Sequence, residues 1–142
     1  MNFLHYVKQG LKEKGYKLTQ PRISVIETLS KIKTPLNAYK ITDIIKEKSS
    51  IDVSTVYRIL ELLKKLDLVH FISKKQGYVG CRDWDENHKD HCHHHFICKK
   101  CHIFYEIHLN DENFLKNLKN KLKDLEISDH YFEFSGLCKS CK

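Results

Sequence analysis

The chain has 142 residues, enough for one compact domain or two small ones with a modest core in each. No apolar run approaches the about 18 residues that cross a membrane, and lysines interrupt the apolar N-terminal residues as in an amphipathic helix, not a secretory signal. The formal net charge of +7 is uneven: residues 1–75 carry fifteen Lys and Arg against seven Asp and Glu, whereas residues 76–142 carry ten against eleven. We therefore expect a cytoplasmic protein with a basic, nucleic-acid-binding first half and no membrane partner.

Four amphipathic helices are predicted in the basic half. Gly15 should end the first, and Thr19, Asn37 and Ser54 are the expected N-caps of the other three. Pro21 fits the first turn of the second helix, where its missing N–H costs nothing. The apolar positions that carry these predictions are Phe3, Leu4, Val7 and Leu11, then Ile23, Ile26 and Leu29, then Ala38, Ile41, Ile44 and Ile45, then Val56, Ile59, Leu63 and Leu66.

The fourth helix carries polar residues at its N-terminal end, away from its apolar stripe. Thr55, Tyr57, Arg58 and Glu61 cluster there. Arg58 can pair with a guanine edge or a phosphate, while Ser54, Thr55 and Tyr57 can reach phosphates. The second helix of a helix-turn-helix presents such residues to the major groove. Two β-prone runs, 68–72 and 78–81, come after this helix and lie on either side of "KKQG". They predict a hairpin with Lys74 and Lys75 at its tip. A basic hairpin after a recognition helix is typical of a winged helix that binds double-stranded DNA.

The second half contains two C-x-x-C pairs. Cys98 and Cys101 form the first, and Cys138 and Cys141 form the second. Two such pairs complete a tetrahedral thiolate site for zinc, and a closed four-thiolate shell predicts a structural ion and no catalysis. A redox dithiol is the competing interpretation. Between the pairs we predict a strand at 103–108, an amphipathic helix at 111–125 with Phe114, Leu118 and Leu122 on one face, and a strand at 130–134.

A histidine-rich run precedes the first C-x-x-C pair. On a strand through residues 91–97, His91, His93 and His95 would share one face, and Cys92 and His94 the other. This alternation favours a second specific metal site over a nonspecific metal store or a solvated surface. A further site formed by Cys92, His94 and His130 stays open.

These motifs together resemble the ferric uptake regulator (Fur) family of metal-sensing repressors. The likeness rests on "LTQPR" at 18–22, "STVYRILELLKKLDLVH" at 54–70, "HHHFICKKC" at 93–101 and the terminal "CKSC". The resemblance implies an α+β protein with a winged-helix DNA-binding domain at 1–80, a hinge at 81–92 and a small α/β dimerisation domain at 93–142. It also implies a homodimer that binds operator DNA when a regulatory metal is present, and structural zinc in the paired C-x-x-C motifs.

The regulatory metal implied by the resemblance is zinc. The eleven-residue spacing of His70 and Cys81 resembles one group of zinc uptake regulators (Zur), in which a histidine and a glutamate complete the shell. The glutamate position falls on Glu106. Counting back from Cys98, the histidine position falls on His91. The segment between Cys81 and Cys98 is two residues longer than in that group, and other family members use the positions of His93 and His95, so the histidine ligand stays open among these three. Fe²⁺ or Mn²⁺ is the alternative ion.

The resemblance carries DNA contact over to Tyr39 and Arg58. We therefore predict a zinc-dependent repressor of zinc uptake genes, with an iron- or peroxide-responsive repressor of the same family as the alternative. A zinc hydrolase is disfavoured, because the sequence has no H-E-x-x-H motif and no nucleophile motif. We expect no enzymatic activity and no small-molecule substrate.

Overall fold

The computed structural model describes residues 2–81, 94–109, 112–128 and 130–142. The chain divides into two compact units, here called the N-terminal unit (up to residue 84) and the C-terminal unit (from residue 85). Helices and small sheets occur in both, which confirms the α+β class. In the described residues no helix has the length and apolar character to span a membrane. The elements of the N-terminal unit are α1 (Phe3–Glu13), α2 (Gln20–Lys31), α3 (Ala38–Lys46), α4 (Val53–Lys65), β1 (Val69–Ile72), a 3-10 turn (Ser73–Lys75) and β2 (Gly77–Gly80).

Helix boundaries in the N-terminal unit follow local hydrogen bonds. Asn37 caps α3, as predicted, because its side-chain oxygen accepts the Lys40 N–H at 2.9 Å. Gly15 ends α1 with a φ of +77°, a left-handed conformation that glycine adopts without strain. Thr19 occupies the N-cap position of α2 but makes no capping bond through its side chain. The prediction that Ser54 caps α4 is wrong: Asp52 is the cap, and its carboxylate accepts the Thr55 N–H at 2.9 Å.

The core of the N-terminal unit is built from all four helices and the hairpin. The fully buried positions of α1, α3 and α4 include most of those predicted, but α4 buries Leu60 where Leu66 was expected, and Leu66 is only half-buried. In α2, Val25 has no exposed surface, whereas Ile23, which was predicted to be buried, is only half-buried. Ile44 of α3 is 39% exposed. The predicted stripes are therefore mostly correct, and they differ at single positions because other apolar residues adjoin them and packing against the neighbouring helices decides which of these are buried.

The predicted hairpin is present. Strands β1 and β2 pair antiparallel with Val69 opposite Gly80, His70 opposite Val79, and Phe71 opposite Tyr78. The segment before α3 joins β2 through reciprocal backbone bonds between Leu36 and Tyr78, of 3.1 and 2.7 Å. The hairpin is thereby held against the helical core and follows α4 directly, as a wing follows a recognition helix.

The C-terminal unit contains β3 (His94–Cys98), β4 (Phe104–Ile107), α5 (Glu112–Lys121) and β5 (Glu133–Gly136). The strand order is β4-β3-β5, with β3 antiparallel to β4 and parallel to β5. The strand predicted at 130–134 is displaced, because the pairing of β5 with β3 begins at Glu133. The predicted apolar face of α5 is present but not buried within the described residues: Phe114 is 50% exposed.

Candidate metal centres and nucleic-acid interface

The two C-x-x-C pairs converge in the C-terminal unit. Cys98 ends β3, and the parallel register places it opposite Gly136, two residues before Cys138. Tight turns then carry Cys101 and Cys141 back beside their partners. All four sulfur atoms lie within 4.8 Å of one another, and those of Cys101 and Cys138 are 3.7 Å apart. Sulfurs bound tetrahedrally at 2.3 Å from zinc would be about 3.8 Å apart, so the spacing fits one ion.

Backbone groups favour a thiolate in this cluster. N–H groups of Cys101 and Cys138 point at Cys98 and lower the pKa of its thiol to about 5, and the Cys138 N–H donates to its sulfur at 3.4 Å. Cys141 has the opposite shift, because its hydrogen bond with the Cys138 thiol and then burial raise its pKa to about 12. With four thiolates the shell is closed, which makes the role structural.

A second group of candidate metal ligands, a histidine and a cysteine, lies on the hairpin of the N-terminal unit. His70 is opposite Val79 in β1 and β2, and Cys81 follows two residues after Val79, so both point to the same face of the hairpin. Their ligand atoms lie within 4.8 Å of each other, and both side chains are buried. The backbone bond from the Cys81 N–H to the Leu68 carbonyl, at 3.1 Å, continues the ladder and fixes this approach. An imidazole and a thiol can bind one borderline-soft ion.

The C-terminal unit presents a third pair of candidate ligands. His95 and Glu106 are directly opposite each other on β3 and β4, and therefore share a face. His94 points to the other face, where its Nδ1 accepts the Phe132 N–H at 3.0 Å and its ring lies 5.7 Å from that of His130. His91, Cys92 and His93 lie outside the described residues, so the choice of the regulatory histidine and the Cys92 site stay predictions.

The predicted DNA-binding residues lie on α3, α4 and the hairpin tip. Tyr39 is 61% exposed and Tyr57 is 39% exposed, and their rings meet edge to face at 6.2 Å. Arg58 is exposed beside Tyr57, and Lys74 is exposed at the hairpin tip, where Lys75 is half-buried.

The hydroxyl groups at the start of α4 are already hydrogen-bonded. Asp52 accepts from the Thr55 hydroxyl at 2.8 Å and from the Ser54 hydroxyl, and these bonds hold its pKa well below the ordinary value. Sequence reasoning missed Asp52 because Asp and Ser are both good cap residues.

Comparisons with known proteins agree with these features. The Ferric uptake regulator family matches residues 13–135. The ferric uptake regulation protein of Bacillus subtilis (strain 168) is 32% identical over 145 residues, which cover 99% of this chain and 95% of that protein. A peroxide-responsive repressor, PerR, of Staphylococcus epidermidis is 26% identical, with 94% and 86% covered.

Solved structures of zinc regulators are similar as well. A zinc uptake regulator complexed with zinc and DNA has a TM-score of 0.85 at 25% identity, covering 96% of this chain and 91% of that one. The crystal structure of holo XcZur has a TM-score of 0.77 at 27% identity, with 97% and 95% covered. The predicted family is therefore confirmed: the chain belongs to the ferric uptake regulator family, and it is a metal-responsive transcriptional regulator and not an enzyme.

Proposed function

We propose that this regulator is a zinc-dependent repressor that binds operator DNA as a homodimer in the cytoplasm and controls zinc uptake genes. The observation that carries the proposal is the approach of His70 and Cys81 on one face of the hairpin. A thiolate beside an imidazole favours zinc over harder ions, and a thiolate ligand would expose an iron site to oxidation. The likeness to a zinc uptake regulator complexed with zinc and DNA supports the same ion.

The proposed regulatory shell combines donors from both units. His70 and Cys81 come from the N-terminal unit, and Glu106 comes from the C-terminal unit. The remaining donor is His91, His93 or His95. The position of His95 opposite Glu106 in the sheet supports His95. One thiolate, two imidazoles and one carboxylate would form a four-coordinate shell that suits Zn²⁺, whose role when bound would be to link these donors.

The proposed division of labour follows the two units. Residues 1–80 would bind DNA, residues 93–142 would bind structural zinc through the four cysteines and form the dimer, and residues 81–92 would be the hinge between them. Arg58 would read base edges, while Tyr39, Tyr57 and the hairpin lysines would contact sugar and phosphate. Ser54 and Thr55 would contribute mainly through Asp52, which orients their hydroxyls.

An iron- or peroxide-responsive repressor is the second candidate. It is favoured by the identity of 32% to a ferric uptake regulation protein and by the likeness to PerR repressors. In that case Fe²⁺ or Mn²⁺ would occupy nitrogen and oxygen donors, and Cys81 would not bind the regulatory ion. The two candidates therefore differ in one measurable property, the ion that activates DNA binding.

The test is operator binding at buffered free-metal concentrations. An operator is first selected from a random double-stranded DNA library with the metal-loaded protein, and binding is then titrated with Zn²⁺, Fe²⁺ and Mn²⁺ under anaerobic conditions. We expect zinc to activate binding at far lower free concentration than either other ion, with the mass of a dimer on the DNA. Activation by Fe²⁺ or Mn²⁺ at lower free concentration than zinc would overturn the zinc proposal in favour of the second candidate.

A further inference from the structure

A buried tyrosine of the hairpin is hydrogen-bonded to the recognition helix. Tyr78 of β2 is only 5% exposed, and its hydroxyl donates to Oε1 of Glu61 on α4 at 2.9 Å. Glu61 lies three residues after Arg58, so the two side chains are neighbours on the helix surface. Burial and then the bond to Glu61 raise the pKa of Tyr78 well above its ordinary value, and the hydroxyl stays a donor at physiological pH.

Two more side chains strengthen this connection. The ring of Phe71, directly opposite Tyr78 in the hairpin, lies 5.0 Å from the Tyr78 ring. Lys64 of α4 forms an ion pair with Glu61 at 3.5 Å and lies 5.7 Å from the centre of the Phe71 ring. We call Glu61, Lys64, Phe71 and Tyr78 the helix–hairpin clamp. It contacts both strands of the hairpin and one turn of the helix.

The clamp and the candidate metal ligands occupy opposite faces of the same hairpin. Side chains alternate along a strand, so Phe71 and Tyr78 point to one face, while His70 and Cys81 point to the other. A two-stranded hairpin is marginally stable alone and takes its orientation from what it packs against. The clamp therefore adds to the Leu36–Tyr78 backbone bonds a direct side-chain connection between the hairpin that carries the ligand pair and the helix that carries Arg58.

We propose that Glu61 and Tyr78 are positioning residues that couple occupancy of the His70–Cys81 site to the orientation of the recognition helix. This inference rests on the proposed function, since it gives the route by which the metal would act on DNA binding. Without the hydroxyl bond, the hairpin can shift when metal binds while α4 stays in place. Metal affinity is then preserved, but the effect of the metal on operator affinity is reduced.

The decisive variant is Tyr78→Phe, which removes one oxygen and keeps the buried ring. Tyr16→Phe is the matched control, because Tyr16 is a half-buried tyrosine of the same unit that stacks with Arg22 and is remote in sequence from the hairpin. For each protein, operator affinity is measured with zinc buffered at saturation and with zinc removed from the regulatory site. We expect the ratio of the two affinities to fall about fivefold in Tyr78→Phe and to stay at the wild-type value in Tyr16→Phe.

Two further readouts separate coupling from general damage. The zinc affinity of the regulatory site without DNA should be unchanged in Tyr78→Phe, and the effect of DNA on zinc affinity should fall by the same factor, because coupling between two ligands is reciprocal. Glu61→Gln, which keeps an acceptor for the Tyr78 hydroxyl, should retain more of the ratio than Glu61→Ala. The double variant Tyr78→Phe/Glu61→Ala should be no worse than Glu61→Ala alone.

The outcomes also separate this inference from the proposed function. A wild-type ratio in both Tyr78→Phe and Glu61→Ala would overturn the coupling while leaving zinc regulation intact. If zinc does not affect operator binding by the wild type, the zinc proposal fails, and the ratio is measured with the ion that does activate. Faster amide exchange at residues 77–80 in Tyr78→Phe than in Tyr16→Phe would support the clamp in either case, and equal exchange would refute it.

Discussion

Replacing Gly80 with alanine should destabilise the N-terminal unit, whereas the same replacement at Gly10 should stabilise it. A methyl group at Gly80 would lie 2.5 Å from Cζ and 2.7 Å from Cε2 of Phe3, which is closer than non-bonded carbon atoms approach each other. A methyl group at Gly10, inside α1, would lie 3.5 Å from Cδ2 of Leu68, an ordinary contact. The two substitutions make the same chemical change at opposite ends of one packing interface, between α1 and the hairpin region.

The magnitudes follow from these distances. Overpacking costs about 1–3 kcal/mol, and the reduced freedom of the unfolded chain offsets about 0.5 kcal/mol, so Gly80→Ala should lose about 0.5–2.5 kcal/mol. For a domain of about 80 residues this corresponds to a Tm lower by roughly 2–20 °C. Gly10→Ala replaces a glycine in a helix interior and should gain about 1 kcal/mol, or roughly 5 °C.

Thermal unfolding of the metal-loaded protein, followed by circular dichroism, measures both effects. Phe3→Leu should partly restore Gly80→Ala, because the smaller side chain vacates the space that the new methyl group needs, and the coupling between the two substitutions should be about 1 kcal/mol. The packing of α1 against β2 is refuted if Gly80→Ala unfolds at the wild-type temperature, or if Phe3→Leu adds its own loss without any rescue.

Three further predictions concern the sites. Cys138→Ser should release the structural zinc and destabilise the C-terminal unit, since such an ion contributes folding free energy directly. The control Lys139→Ala should keep the zinc and the stability of the unit. Full zinc content by metal analysis in Cys138→Ser would contradict the four-cysteine site. Arg58→Ala should lose the preference for operator over random DNA in a competition assay and keep its metal, while Lys74→Ala should weaken binding to both DNAs and reduce the salt slope by about one; an unchanged preference in Arg58→Ala would mean that α4 is not the recognition helix. Cys81→Ser should stay folded and keep its structural zinc but lose zinc-dependent operator binding, measured by fluorescence anisotropy. Activation of operator binding by zinc at the wild-type level would exclude Cys81 as a regulatory ligand.

Local sequence signals predicted most of the N-terminal unit and failed where tertiary contacts decide. The hairpin was predicted within one residue at each strand, because "KKQG" separates two β-prone runs. The cap of α4 was misplaced because Asp52 and Ser54 both have the required side chains, and only the three-dimensional hydrogen bonds distinguish them. The start of β5 at Glu133 depends on pairing with β3, nearly forty residues away, which no local pattern encodes.

The candidate sites were predictable to different degrees for a related reason. The two C-x-x-C pairs identify all four ligands of the cysteine site from the sequence alone, and the structure brings the four sulfurs together. His70 and Cys81 are eleven residues apart, and only the antiparallel register places them on one face. The bond between Tyr78 and Glu61 was not predicted, because a tyrosine in a strand and a glutamate on a helix surface are both ordinary and gave no signal of their contact.

The distribution of donors indicates which candidate site can act as a sensor. All four sulfurs of the cysteine site belong to the C-terminal unit, so an ion bound there stabilises that unit whether or not DNA is bound. If zinc binds His70 and Cys81 as proposed, these residues supply two of the four donors that zinc takes, and the affinity for the ion would depend on donors supplied from elsewhere. A ligand shifts an equilibrium only through its different affinity for the two states, and a nearly complete shift, from 1:99 to 99:1, needs a difference of about 10⁴-fold. Loss of even an outer partner of a metal ligand costs about 10–100-fold in affinity, so loss of two direct donors provides a difference of the required size. A ligand pair that provides only two of four zinc donors is therefore suited to regulation, whereas a complete set of four thiolates is suited to a structural role.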